Sequence, residues 1–229
     1  PPYQTAGFLH EIIMMNYGGI RLNESFLQQA YRLCRETGTP TLCDEIQSCA
    51  WYDGFFLFRK YGIRPDFVSV GKGFPGGNYA ASRMIFSGAY DSLSQFGALV
   101  TNGQEELASL AYLITMEFLT ENGAEIERVG NVYHNEMIAL AKKHNKRITE
   151  AEGDAHMSAL SFVSVPDAVE FCKRMQLVYG VDISAQTYKP NCPPVALTKL
   201  PIITTETIAL SLVNKMDRCL MSMEEETNA

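Results

Sequence analysis

Several things are scarce in this chain, and each scarcity removes a class of function. The 229 residues hold four histidines, at 10, 134, 144 and 156, which do not cluster and form no HxxxH spacing. A metal centre is therefore not expected. Lysine and arginine number 19 against 26 acidic residues, a net charge of −7 that leaves no basic footprint for nucleic acid. No apolar run approaches the roughly 18 residues of a membrane span, and the opening residues lack a signal-peptide pattern. The six cysteines, at 34, 43, 49, 172, 192 and 219, include no CxxC pair. Free buried thiols in a reducing cytoplasm are the expectation, rather than a disulfide framework. There is no internal repeat and no low-complexity tract.

What is present centres on Thr41–Gly77. A short apolar run enters Asp44-Glu45-Ile46-Gln47, and a second, Phe67-Val68-Ser69-Val70, enters Gly71-Lys72-Gly73. Each reads as a buried strand ending in a polar turn. Upstream, Gly7–Met15 is apolar and strand-like, and Asn16–Gly19 turns the chain. Asn23 can cap a helix over Glu24–Glu36 with Leu27, Ala30, Tyr31 and Cys34 on its apolar face. Gly38 and Pro40 stop it. Strand, helix, strand at this length is a βαβ unit, so the sheet is parallel here. Asp44 and Lys72 then share the carboxyl edge of neighbouring strands, where chemistry collects in such sheets.

Downstream, Ala80–Ser87 reads as an antiparallel strand, and Gln104–Thr120 as a helix with Leu107, Leu110, Ala111, Ile114 and Phe118 on one face. Glu121-Asn122-Gly123 marks a break. A second helix follows to about His144. Strands near Arg147–Ala151 and His156–Val163, a helix near Asp167–Leu177, and strands near Val181–Ser184 and Val195–Leu200 come next. A last helix is capped by Thr204 or Thr205 and carries Ile208, Leu212, Val213, Met216 and Leu220. Glu224–Ala229 reads as a frayed polar tail. Residues 1–121 thus form one domain and 122–229 a smaller α+β domain.

A lone lysine in a glycine turn is ordinarily a surface residue. Here it stands in register with an acid, and that pair suits pyridoxal phosphate: a lysine amine forms its Schiff base, and a carboxylate partners its pyridinium nitrogen. The ordered set Asp44-Glu45-Ile46-Gln47, Gly62-Ile63-Arg64-Pro65-Asp66 and Lys72-Gly73 resembles the class III (ornithine/4-aminobutyrate-type) aminotransferases. The resemblance implies a fold-type I α/β architecture. A partial large domain with a mostly parallel sheet would be followed by the C-terminal domain. It implies Lys72 as Schiff-base and proton-shuttling residue, Asp44 on the ring nitrogen, Ile46 against one ring face and Gln47 on the ring oxygen. Thr101 would reach the cofactor phosphate of the neighbouring subunit in a homodimer. The partners implied are a small amino donor and a keto acid or aldehyde acceptor.

The chain departs from the family in places. The family's Gly-x-Gly-Arg-Thr-Gly loop reads Cys49-Ala50-Trp51-Tyr52-Asp53-Gly54, and the place of its carboxylate-gripping arginine falls at about Leu197, with Lys199 nearby. The Ser-Gly-(Ser/Thr)-Glu-Ala phosphate turn of the family's first half is not found, so the chain reads as the C-terminal part of such a protein. An aminomutase, another fold-type I reaction, and a non-catalytic fragment or dimerisation module are the alternatives. Two other readings fail on local structure. Asp44 and Glu45 are strand neighbours pointing to opposite faces, so they cannot flank one glycosidic bond. Gly71-x-Gly73-x-x-Gly76 is followed by a strand rather than a helix, so it is no dinucleotide fingerprint. Glu45 is expected to be structural, and Asp66 a turn acid.

Overall fold

The computed structural model describes residues 4–77, 79, 81–97, 106–187 and 189–227. In chain order the strands are β1 (Phe8–His10), β2 (Ile13–Met14), β3 (Ile20–Arg21), β4 (Thr41–Asp44), β5 (Phe67–Val70), β6 (Arg83–Phe86), β7 (Ile148–Asp154), β8 (Met157–Phe162), β9 (Ser184–Gln186) and β10 (Val195–Lys199). The α-helices are α1 (Glu24–Thr37), α2 (Leu57–Lys60), α3 (Glu106–Lys143), α4 (Val165–Leu177) and α5 (Glu206–Thr227). The chain divides into two compact units. One comprises residues 1–12 and 22–123, the other residues 13–21 and 124–229. The sequence reading divided the chain after residue 121 and kept residues 13–21 with the first part, whereas the structure gathers them into the second unit.

The first unit is built on a four-stranded sheet in the order β1-β4-β5-β6. β1 and β5 both run parallel to β4, and β6 is antiparallel to β5. Alternation along β4 and β5 buries Thr41, Cys43, Val68 and Val70 and leaves Leu42, Asp44, Phe67 and Ser69 half-buried. α1 begins where Asn23 accepts from the Phe26 N–H and ends at Gly38, whose φ of +65° only glycine adopts without strain. It buries Leu27 and Tyr31, and the Tyr31 hydroxyl meets His10 Nε2 on β1 at 2.8 Å. Asp66 ties the starts of β4 and β5 together. Its Oδ2 accepts from the Thr41 N–H at 2.8 Å and the Thr41 hydroxyl at 2.9 Å.

The apolar run 7–15 does not make one strand. It pairs first with β4 as β1 and then with β3 as β2, so one stretch serves two sheets. Neither does the sequence break at 121–123 end a helix, because α3 runs unbroken through it for 38 residues. Gly123 is held there by packing rather than by a turn. A Cβ on it would lie 3.2 Å from Asp53 Oδ1 and 3.4 Å from Asp53 Cα. The expected inner face of this helix is also corrected. Ala108, Tyr112, Thr115 and Leu119 are buried, while Leu107, Leu110, Ile114 and Phe118 are exposed.

The second unit carries an antiparallel sheet in the order β7-β8-β10-β9. Every residue of β8 is buried. Its core joins Tyr133, Met137 and Leu140 of α3 to Phe171 and Met175 of α4 and to Val213, Met216 and Leu220 of α5. Ile208 is exposed and Ala209 takes the inner position. Val181 spends its N–H on the Met175 carbonyl, so pairing with β10 starts only at Ser184, later than expected. α5 continues through the acidic tail. Glu224 Oε1 meets His144 Nδ1 at 3.0 Å, and Glu226 takes both terminal nitrogens of Arg174.

Candidate active site

The candidate site lies at the carboxyl edge of β4 and β5, within the first unit. Parallel pairing sets Asp44 opposite Ser69, on strands about 4.8 Å apart. The ladder runs one step further, with the Glu45 N–H donating to the Ser69 carbonyl at 3.1 Å. Beyond it the two chains part. The first turns through Ile46-Gln47-Ser48, and the second turns through Gly71, Lys72 and Gly73.

Asp44 is half-buried and its orientation is fixed from one side. Its Oδ1 accepts from the Ile46 N–H at 2.9 Å and from the Ser69 hydroxyl at 2.8 Å. Oδ2 accepts no hydrogen bond from the described residues, so the carboxylate keeps one open acceptor. Ser69 was not singled out by sequence reasoning. The available signal was that it shares a register position, and hence a sheet face, with Asp44.

Lys72 is exposed and sits two residues past the end of β5 with φ +51°. A long side chain in the left-handed region is uncommon and costs roughly 1–3 kcal/mol. Gly71 behind it is buried, and a Cβ there would come within 3.3 Å of Ser82 Cβ. Phe74 and Pro75 fold back into the interior. Ile46 and Gln47 are half-buried on the facing turn. Asp44, Ile46, Gln47 and Lys72 therefore come together at one edge. Thr101, the remaining sequence-predicted residue, lies outside the described residues. Leu197 and Lys199 belong to β10 of the second unit.

Glu45 points the other way, into the protein, and is fully buried. The loop between it and α2 is tightly wound. Ala50, Gly54 and Phe55 all have φ between +76° and +79°, and the Ala50 N–H reaches the Phe55 carbonyl at 2.7 Å. Burial pushes the Glu45 carboxyl up to about 7, against the lowering effect of its hydrogen bonds from Ser48, Phe58 and Leu57. Burial likewise pushes the Cys49 thiol up to about 12. All six cysteines are free.

An exposed amine and a carboxylate with one open oxygen, on adjacent strand ends, are the two kinds of group that a pyridoxal ring takes at its aldehyde and its nitrogen. No group of three or more metal-ligating side chains occurs among the described residues. None of the described helices is long and apolar enough to cross a membrane.

Comparison with known proteins places this geometry in context. Acetylornithine aminotransferase from Elizabethkingia anophelis superposes with a TM-score of 0.83 at 23% identity, over 95% of this chain and 54% of that one. Ornithine aminotransferase from Toxoplasma gondii ME49 gives 0.85 at 19% identity, over 96% and 52%. A transaminase from the marine bacterium Virgibacillus gives 0.78 at 14% identity, over 97% and 54%. At these identities the likeness is one of fold, and the chain spans about half the length of the proteins it matches. The family model for class-III aminotransferases matches residues 2–219. With nearly its whole length matched, the chain belongs to the class-III aminotransferase family.

Proposed function

We propose that the intact protein is a pyridoxal-phosphate-dependent aminotransferase, moving an amino group between an amine or amino acid and a keto acid or aldehyde. The observation that carries this reading is the register of β4 and β5. It sets Asp44, with Oδ2 open, at the sheet edge from which Lys72 also projects. When bound, pyridoxal phosphate supplies a protonated ring that accepts electrons and an aldehyde carbon open to an amine.

The residues would divide the work as follows from their chemistry. Asp44 Oδ2 would hold a proton on the ring nitrogen, while Ser69 and the Ile46 N–H keep Oδ1 from turning into its place. Lys72 Nζ would tether the cofactor and, once displaced by the substrate amine, move a proton away from the substrate Cα. Ile46 would cover one ring face, and Gln47 would donate to the ring oxygen. Thr101 would hold phosphate across a homodimer interface. The exposed apolar residues Leu107, Leu110, Leu113 and Ile114 on α3 suit such an interface.

The test is optical. The intact protein incubated with pyridoxal phosphate should develop a visible absorption band that persists through gel filtration. Lys72→Ala should lose it, and an unchanged band in that variant refutes the lysine assignment. A screen of amines against the loaded protein, read by bleaching of the band, then identifies the donor class.

A further inference from the structure

Glu45 is buried, acidic and next to the proposed ring-binding carboxylate, yet no step above uses it. Its surroundings are specific. Oε1 accepts from the Phe58 N–H at 2.8 Å, and the Leu57 N–H also bonds to the carboxyl. Oε2 accepts from the Ser48 hydroxyl. The Glu45 N–H holds the Ser69 carbonyl, and its own carbonyl accepts from the Cys49 N–H at 3.0 Å. One residue therefore joins the end of β4, the end of β5, the turn 46–49 and the first residues of α2.

The loop 46–56 contains three residues at positive φ, two of them not glycine. Such conformations persist only where the surroundings over-determine them. Glu45 makes no ion pair with a described residue. The titratable groups that face it are Asp44 and the Cys43 and Cys49 thiols. A carboxyl kept fully buried with no cation is costly. Three donors converge on it, which satisfies its acceptors and makes the arrangement a built one.

We propose that Glu45 is a positioning residue: its carboxyl clamps the turn bearing Asp44 and Gln47 onto the start of α2 and so fixes the Asp44 carboxylate for the cofactor ring. Without the clamp, the turn 46–49 and the Ile46 N–H that fixes Asp44 Oδ1 would move with the loop. This inference rests on the proposed cofactor role of Asp44.

The experiment measures two quantities on the intact protein, at matched fraction folded. These are the Kd for pyridoxal phosphate and the wavelength and pH midpoint of its bound visible band. Glu45→Ala should raise Kd roughly ten-fold, the usual scale for residues that support a ligating group, and shift the pH midpoint in the direction that Asp44→Ala does. Glu45→Gln should restore Kd to within about three-fold, since its amide oxygen can take the Phe58 N–H and its NH₂ can donate to Ser48. A folded Glu45→Ala protein with wild-type Kd and band overturns the proposal. Should Glu45→Ala fail to fold, Ser48→Ala decides: a several-fold rise in Kd supports the clamp, and no change overturns it. Lys72→Ala is run beside them. If it keeps the band, the cofactor reading itself has failed. If it loses the band while the Glu45 and Ser48 variants behave as wild type, only the clamp is lost.

Discussion

Lys72 occupies φ +51°, where a side chain crowds its own backbone and glycine does not. Nothing in the packing of an exposed residue demands lysine there, and the proposed function gives the amine a task that glycine could not perform. Lys72→Gly should therefore unfold in urea about 1 kcal/mol later than Lys72→Ala, while both variants lose the cofactor band. Equal stabilities would show the turn to be unstrained. Glu45 carries a second stability signature. An unfolded glutamic acid titrates near 4.5, whereas burial holds this one near 7. Between those values the folded chain keeps a proton that the unfolded chain has released. Its contribution is complete below about pH 4.5 and is lost as pH rises through about 7, by on the order of 3 kcal/mol. Urea midpoints compared at about pH 5 and pH 8 should fall in the wild type and fall less in Glu45→Gln. Parallel slopes would count against the raised carboxyl.

At the scale of elements, strand ends and caps were more legible than the residues that set packing. The strand ends at Asp44 and Val70, the cap at Asn23 and the antiparallel β6 all follow from local pattern, because turn residues and strand alternation act within a few positions. α3 was not legible in that way. Its first half offers apolar residues on more than one face, and the buried set includes the small or polar Ala108 and Thr115. Apolar spacing therefore pointed about one position away from the inner face. Gly123 misled for a related reason. In a helix a glycine reads as a stop, but Gly123 and Gly130 are selected by what lies against them. A Cβ on Gly130 would sit 2.6 Å from His156 Cδ2 and 2.8 Å from Ala155 Cβ. His156 is fully buried and bonds the Ile126 carbonyl at 2.7 Å, so it has no room to withdraw. Gly130→Ala gains roughly 1 kcal/mol of helix propensity and should still lose about 2 kcal/mol net, because overpacking at such contact distances outweighs it. Thermal unfolding of the variant above the wild-type midpoint would contradict this contact. The tail of α5 was likewise misread, since a hydrogen bond to His144 and an ion pair to Arg174 are long-range in sequence and invisible to local pattern.

At the scale of the molecule, the first unit carries a row of exposed apolar side chains along α3. Leu107, Leu110, Leu113 and Ile114 are each more than half exposed on α3, and Phe96 is 70% exposed. Single exposed apolar residues are ordinary, but a run of them along one helix marks a surface that another chain or another part of the same chain must cover. A second copy is the occupant under the proposed function, which puts Thr101 across a homodimer interface. Charge on this face should then weaken association while leaving the inner face of α3 intact. The intact protein should sediment as a dimer. Leu110→Glu combined with Ile114→Glu should shift it toward monomer by at least ten-fold in dissociation constant, since two buried apolar contacts of this size contribute about 3 kcal/mol or more. Loss of the dimer should also weaken cofactor retention if Thr101 serves the neighbour's phosphate. A double variant that remains a dimer of wild-type strength would remove α3 from the interface, and a monomeric variant that retains the cofactor as tightly as wild type would remove Thr101 from the phosphate site.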